Sequence, residues 1–425
     1  SGMKHLVKLL AGAGLAVAFA GGTMAADLTI AVTPGDNPSG GVRDLAKVFG
    51  EMKGVEIELV QAPYDNLFEK AFNAAQTHSG IYDILLFDDT WGPPFYENDF
   101  FEPLAPYYQR IKGTDGPDSD FIANAVALTR DPWGTGVIKA VPLIGNAQMF
   151  FYHPAEFAKA GLDKAPPFTW DEFLAAAQKI KEEGGGRKFG YVVRGQQGDP
   201  VVSNFLPHLW AFGGDFFDKE GNPTLDTPNA LQALEFYLKL RDVSPPGVEA
   251  FDSDEMATYL LQGAALASVN WPNWASEYEN PESSRVVGEM AYTVLPHGTA
   301  IGQAYIGMWL LSIYRDSKNK DLAFEFIDWV TDVEQQTYAA DKYDIPPTRL
   351  SVFNDPALLA QERFKSWPVL LQNIIYSHPA PRHKRWFEVL NSVGVFLSEA
   401  VAGVKTPKEA LDASQKALLK INAKG

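Results

Sequence analysis

From Leu28 onward the chain alternates strand-forming runs with helical stripes, and that order admits few folds. Leu28-Thr29-Ile30-Ala31-Val32 is β-prone, Thr33-Pro34-Gly35-Asp36-Asn37-Pro38 is a turn cluster, and Val42, Leu45, Ala46 and Phe49 recur at helical spacing. Val55, Ile57 and Leu59 then alternate with Glu56 and Glu58, a helical stretch covers residues 65–77, and Tyr82-Asp83-Ile84-Leu85-Leu86-Phe87 is nearly continuous apolar sequence. The spacing predicts a βαβαβ unit, hence a parallel sheet with right-handed crossovers. Ligands of open α/β sheets bind beyond the carboxyl ends of the strands, which here deliver two loops, residues 33–37 and 88–91.

The α/β order continues beyond this unit. Val137-Ile138-Lys139-Ala140-Val141-Pro142-Leu143 reads as a short strand, after which the pattern restarts, so a passage between lobes is expected near Val141. Thr169 and Glu172 form a capping box ahead of Phe173, Leu174, Ala177 and Ile180, and Thr406-Pro407-Lys408-Glu409 opens the last helix in the same way. Residues 286–294 and 308–313 read as strands. Trp170 and Trp329 fall on helical stripes and are assigned to packing.

Length and charge narrow the function. At 425 residues the chain has room for about two to three domains of ordinary size. Its 36 basic against 53 acidic residues give a net charge of −17, which repels phosphate backbones and excludes nucleic acid as an expected partner. With no cysteine there is no disulfide, thiol nucleophile, thiolate metal site or lipid-anchoring cysteine. At the amino end, Ser1-Gly2 resembles a tag remnant. Lys4 and Lys8, the apolar run 9–20 and the small residues of Gly21-Gly22-Thr23-Met24-Ala25-Ala26 read as a secretory signal peptide. The expected address is the periplasm, without insertion into the membrane.

Catalytic signals are sparse. The seven histidines show no metal-ligand spacing, and no phosphate-binding loop, nucleophile elbow or dinucleotide fingerprint occurs in the mature part. No metal or cofactor is expected. Aromatic residues stand instead beside hydrogen-bonding ones: Phe87-Asp88-Asp89-Thr90-Trp91, Asn204 with His208-Leu209-Trp210, Asn270-Trp271-Pro272-Asn273-Trp274, and Arg385-Trp386-Phe387. Sugars ask for this mixture, because a ring face stacks on their C–H side while polar groups pair with their hydroxyls.

Several segments, in order, resemble family 1 extracellular solute-binding proteins of bacterial sugar ABC transporters, distantly including maltodextrin-binding proteins. They are Tyr82-Asp83-Ile84-Leu85-Leu86 followed by Phe95-Tyr96-Glu97-Asn98-Asp99-Phe100-Phe101-Glu102-Pro103-Leu104, Ala140-Val141-Pro142 with Phe151-Tyr152-His153, Phe168-Thr169-Trp170-Asp171-Glu172-Phe173, Gly307-Met308-Trp309-Leu310-Leu311-Ser312-Ile313, and Gly403 with the Thr406 capping box. His153 stands where the family usually has Asn, and Met308 where many members have a second Gly. The resemblance implies a periplasmic-binding-protein type II fold, two α/β lobes joined by a discontinuous hinge with the ligand between them. It implies lobes of residues 27–141 with 302–345 and 142–301 with 346–425, after a leader of residues 1–26. It also implies Asp36, Phe87, Asp88, Asp89 and Asn146 at cleft positions, Trp271 or Trp274 as a stacking ring in the second lobe, and Trp386 in a carboxyl-terminal aromatic wall. Trp91, Asn204, His208 and Met308 complete the candidate set.

The expected function is solute capture for an ABC importer by a monomer that delivers a sugar or sugar alcohol to permease subunits and catalyses nothing. The alternatives are a secreted carbohydrate-active enzyme and a sensory component presented to a membrane receptor. The shortage of clustered Lys and Arg disfavours acidic sugars. Asp36, Asp88 and Asp89 suit a neutral polyhydroxy ligand, the favoured class, or an amino sugar.

Overall fold

The computed structural model describes residues 25–300 and 302–425. The leader expected over residues 1–26 lies outside them apart from Ala25 and Ala26. Eight strands build two main sheets: β1 (Leu28–Val32), β2 (Ile57–Gln61), β3 (Ile84–Asp88), β4 (Val141–Ile144), β5 (Met149–Tyr152), β6 (Ala267–Asn270), β7 (Ala291–Thr293) and β8 (Trp309–Ile313). The first sheet has the order β2-β1-β3-β8-β4, with β1 parallel to β2 and β3 and β8 antiparallel to β3 and β4. The second has the order β6-β5-β7 and is antiparallel, and Val192 on an extended segment donates to the Ala267 carbonyl alongside β6.

Both faces of the first sheet are covered, which is why β3 is apolar throughout. Ile84 and Leu86 face the cluster built with Val42, Leu45 and Phe49 of α1 (Val42–Lys53). Leu85 and Phe87 face the opposite cluster, with Leu67 and Ala71 of α2 (Tyr64–Gln76). In the second lobe Phe150 and Tyr152 of β5 meet Trp170, Phe173 and Phe168 edge to face. Burying each such ring contributes about 2–3 kcal/mol. Both capping boxes, at Thr169 and Thr406, are formed.

Three segments carry the chain between the lobes, and they are laced together. Gly145 donates to the Pro346 carbonyl, Gln148 to that of Tyr305, and Gly307 to that of Asn146. Two sequence expectations shift here. β4 lies in the first sheet along its whole length, paired with β8, so a boundary between residues 141 and 142 cuts a strand and the passage is residues 145–148. The strand expected over residues 286–294 shrinks to Ala291–Thr293, because Glu289 donates to the Val286 carbonyl in a turn that Gly288 closes at φ 76°. Among the described residues no helix is long and apolar enough to cross a membrane.

Candidate functional site

The first wall of the interlobe cleft grows from strand ends. Where β2 ends, Tyr64 begins α2, and where β3 ends, Asp88 turns the chain. The Tyr64 hydroxyl donates to Asp88 Oδ2 at 2.7 Å and accepts from Trp91 Nε1 at 3.0 Å. Trp309, the first residue of β8, closes an aromatic triangle with centroids 5.7 Å from both Tyr64 and Trp91. Trp91 itself is fully buried beneath this surface, so it supports Tyr64 rather than reaching the cleft.

The second wall comes from a helix start and two loops. Asp199 opens α3 (Asp199–Ala211) after Gly198, whose φ of 92° favours glycine. That turn is pressed by Gly394 of α4 (Trp386–Val401), where a Cβ would stand 2.5 Å from the Gly198 nitrogen. Trp271 follows β6 and lies against Gly307, where a Cβ would stand 2.8 Å from the indole. Tyr305, on a passage between lobes, packs edge-on to Trp271 at 5.8 Å. Tyr305 is only 4% exposed.

Electrostatics mark this space as enclosed. Asp199 keeps 51% of its side-chain surface accessible, yet surrounding protein desolvates the carboxyl and raises its pKa, opposed by Arg194. Asp88 is pushed up to about 7 by desolvation, against the Tyr64 hydrogen bond, and the charges of Asp89 and Asp199 add to the rise. Burial and the charges of Asp199 and Asp88 likewise raise Tyr305. Arg194 gives its Nε to Asp252 at 2.7 Å and NH1 to Ser203 at 3.0 Å, and only approaches Asp199, at 3.9 Å. Beyond Trp309 the cleft widens to about 630 Å³, lined by Asn37, Pro38, Asn146, Trp274, Arg363 and Trp367 among others.

The structure thus places Asn146 and Trp274 in the cleft lining, leaves Asp88 and Trp271 half-buried next to lining residues Trp309 and Pro272, and buries most of the other candidates. Asp36 is half-buried next to Asn37 and Pro38, which line the cleft, and its carbonyl accepts from Gly41 in the turn. Phe87 is fully buried against Phe101, at 5.0 Å, because alternation along β3 turns it onto the α2 face. Asp89 is buried, with both oxygens on Arg382 NH1 at 2.9 and 2.8 Å; desolvation raises its pKa and the arginine opposes the rise. Met308 is buried and contributes only its carbonyl, to the Asp89 amide. Asn204 spends its amide on the Arg194 nitrogen, the Tyr237 hydroxyl and the Val269 carbonyl. His208 lies in the second lobe's core, 4.4 Å from the Trp170 ring, where desolvation pushes it down to about 3. Trp386 is buried against Phe216, and its neighbour Phe387 meets Phe68 of α2 at 4.3 Å.

Sequence reasoning missed Tyr64, Asp199, Tyr305 and Trp309. Tyr64 carried a usable signal, since it follows the second parallel strand of the unit whose other two ends were read. Asp199 carried a weaker one, a Gly-Asp-Pro helix start.

A two-lobed α/β chain with a cleft at its hinge is compared most directly through its family. The model for bacterial extracellular solute-binding proteins matches residues 35–337. The chain belongs to that family. Among curated relatives of this solute-binding protein, one of Sinorhizobium fredii named "Probable amino-acid ABC transporter periplasmic-binding protein" is 25% identical over 86% of the chain and 82% of its own length. The mannitol-binding protein of Pseudomonas aeruginosa is 24% identical over 91% of each. The ribitol complex of an ABC transporter solute-binding protein from Agrobacterium radiobacter superimposes with a TM-score of 0.79 at 26% identity, over 93% of this chain and 98% of that one. The type II fold holds for this chain, and the members of its family are exported binding proteins.

Proposed function

We propose that this solute-binding protein captures a sugar or sugar alcohol for an ABC importer. In this reading it works in the periplasm as a monomer, closes its lobes around the solute and presents the closed complex to the permease subunits. The observation that carries the reading is the interlobe cleft of about 630 Å³, where the rings of Trp309, Trp274 and Trp367 stand beside the polar groups of Asn37, Asn146 and Glu277. Rings take the C–H face of a polyhydroxy chain, and carboxylates accept from its hydroxyls. The mannitol-binding relative and the ribitol-bound neighbour support a sugar alcohol. Capture without turnover belongs to the same reading.

The test is thermal melting of the protein, unfolded and refolded to strip retained solute, against sugars, sugar alcohols, amino sugars and amino acids. A solute present at about 100 times its dissociation constant adds roughly 2.7 kcal/mol to stability. A selective rise with a sugar or sugar alcohol recovered chemically intact is expected. A flat response across both classes, or hydrolysis of a glycoside, contradicts the reading.

A further inference from the structure

Two elements that line the wide part of the cleft are joined by charge. One is the end of the helix Val333–Tyr343. It is fixed to the first lobe, because Tyr338 donates to Asp44 of α1 at 2.6 Å and Gln336 to Thr348, whose hydroxyl donates to the Pro142 carbonyl of β4. The other is the turn Glu362–Phe364. It is fixed to the second lobe through Lys365, whose Nζ lies 2.9 Å from Glu279 and over the Tyr292 ring of β7. Arg363 on that turn uses every guanidinium nitrogen: NH1 on Asp344 at 2.8 Å, NH2 on Asp341 at 2.7 Å and Nε on Gln361 at 3.0 Å. Asp344 stands at φ 59°, a left-handed conformation uncommon outside glycine. Arg363 and Asp344 both line the cleft.

We propose that Arg363 with Asp341 and Asp344 is a charge latch that holds the two lobes in this arrangement before any solute arrives. The carboxylates move with the first lobe and the guanidinium with the second, so rotation about the passages between lobes changes their separation. A planar fork engages two carboxylates at once only over a narrow range of lobe angles. Exposure sets the strength of the latch. Arg363 keeps 33% of its side-chain surface accessible, Asp341 59% and Asp344 53%, so each pair is weak and is screened by salt. The Arg382–Asp89 pair, with Asp89 fully buried, is costly to separate and acts as a fixed joint. A latch of exposed pairs favours one arrangement and still lets the lobes part for release. The Asp344 backbone bears on the same point, because a residue stays in a sparsely populated conformation only where its surroundings hold it there, and here Arg363 holds its carboxylate. The inference concerns the lobes without solute, so it stands or falls apart from the sugar reading.

The experiment measures the distance between lobes in protein stripped of solute by unfolding and refolding. The chain has no cysteine, so K47C on α1 and K416C on the helix Pro407–Ala423 take one spin label each, and pulsed electron resonance gives the distribution of separations. At low salt the main separation is expected to be that of the structure. R363Q and, separately, D341N/D344N, checked for folding by their melting curves, are expected to lower its share relative to a second separation by about threefold to tenfold. Salt at about 1 M, where the Debye length is about 3 Å, should do the same to the parent and nothing further to R363Q. Unchanged distributions in both variants overturn the inference. A change in R363Q without one in D341N/D344N overturns the assignment to these carboxylates, and a salt effect that persists in R363Q overturns the assignment to Arg363.

Discussion

The two walls of the cleft are built differently. Asp88 and Trp309 stand at the paired ends of two neighbouring strands, with Tyr64 at the start of α2 against them, braced from below by Trp91 and by the buried Asp89–Arg382 pair. Asp199, Trp271 and Tyr305 stand on a helix start, a loop and a passage between lobes, and are held by close backbone approaches at Gly198 and Gly307. The first wall is therefore a rigid platform. The second is a set of separately anchored side chains.

The largest effect should come from beneath the first wall. Arg382→Met leaves the Asp89 carboxylate buried and unpaired, and is expected to cost about 3–5 kcal/mol of stability in denaturant melts. A loss below about 1 kcal/mol would show that the platform does not depend on that pair.

The two lobes should also differ in the sign of their pH dependence. His208, below the second wall, is pushed down to about 3 in the fold. Its contribution to stability is present above the unfolded value of about 6.5 and is lost as pH falls towards 3, on the order of 5 kcal/mol in all. Asp88, in the first wall, is raised to about 7. The native state there holds a proton that the unfolded chain releases near 4, so stability falls as pH rises from about 4 to 7. His208→Phe should flatten the acid limb, and Asp88→Asn should raise the melting temperature above neutrality. Parallel pH profiles of both variants and the parent would break this contrast.

Ring deletions sharpen the comparison of binding. Trp309→Ala removes a ring shared by the Tyr64 platform and the wide part of the cleft, and should weaken solute binding by about 2–3 kcal/mol. Trp271→Ala should cost about 1–2 kcal/mol, because Tyr305 remains beside it. The smallest effect belongs to Trp386→Phe, which keeps the contact with Phe216 and should leave affinity within about twofold in calorimetry. A larger loss there would bring Trp386 back to the cleft.

Local chemistry made much of the fold legible. β1 and β3 announced themselves through β-branched and apolar runs, and the Thr169 and Thr406 boxes through residues three apart. The site was harder, because an aromatic residue beside a carboxylate does not say which side of a strand faces the ligand. Asp88 and Asp89 are neighbours, yet one faces the cleft and the other a buried guanidinium supplied from residue 382, a partner no local pattern reveals. Phe87 and Trp386 failed for the same reason, and Trp309 is hidden within the apolar run Met308-Trp309-Leu310-Leu311, which reads as core strand. Tyr305 offers no sequence signal, since its place beside Trp271 arises only where distant segments meet.

Hydrogen exchange with and without the tightest-binding polyhydroxy solute tests the central claim most directly. Slower exchange is expected around Tyr64, Asp88, Asp199, Trp271 and Tyr305, from both walls at once, with no change in the core helix around Asn204 and His208. Protection confined to one lobe, or centred away from the Asp88 and Asp199 pair, would contradict a solute held between the two walls.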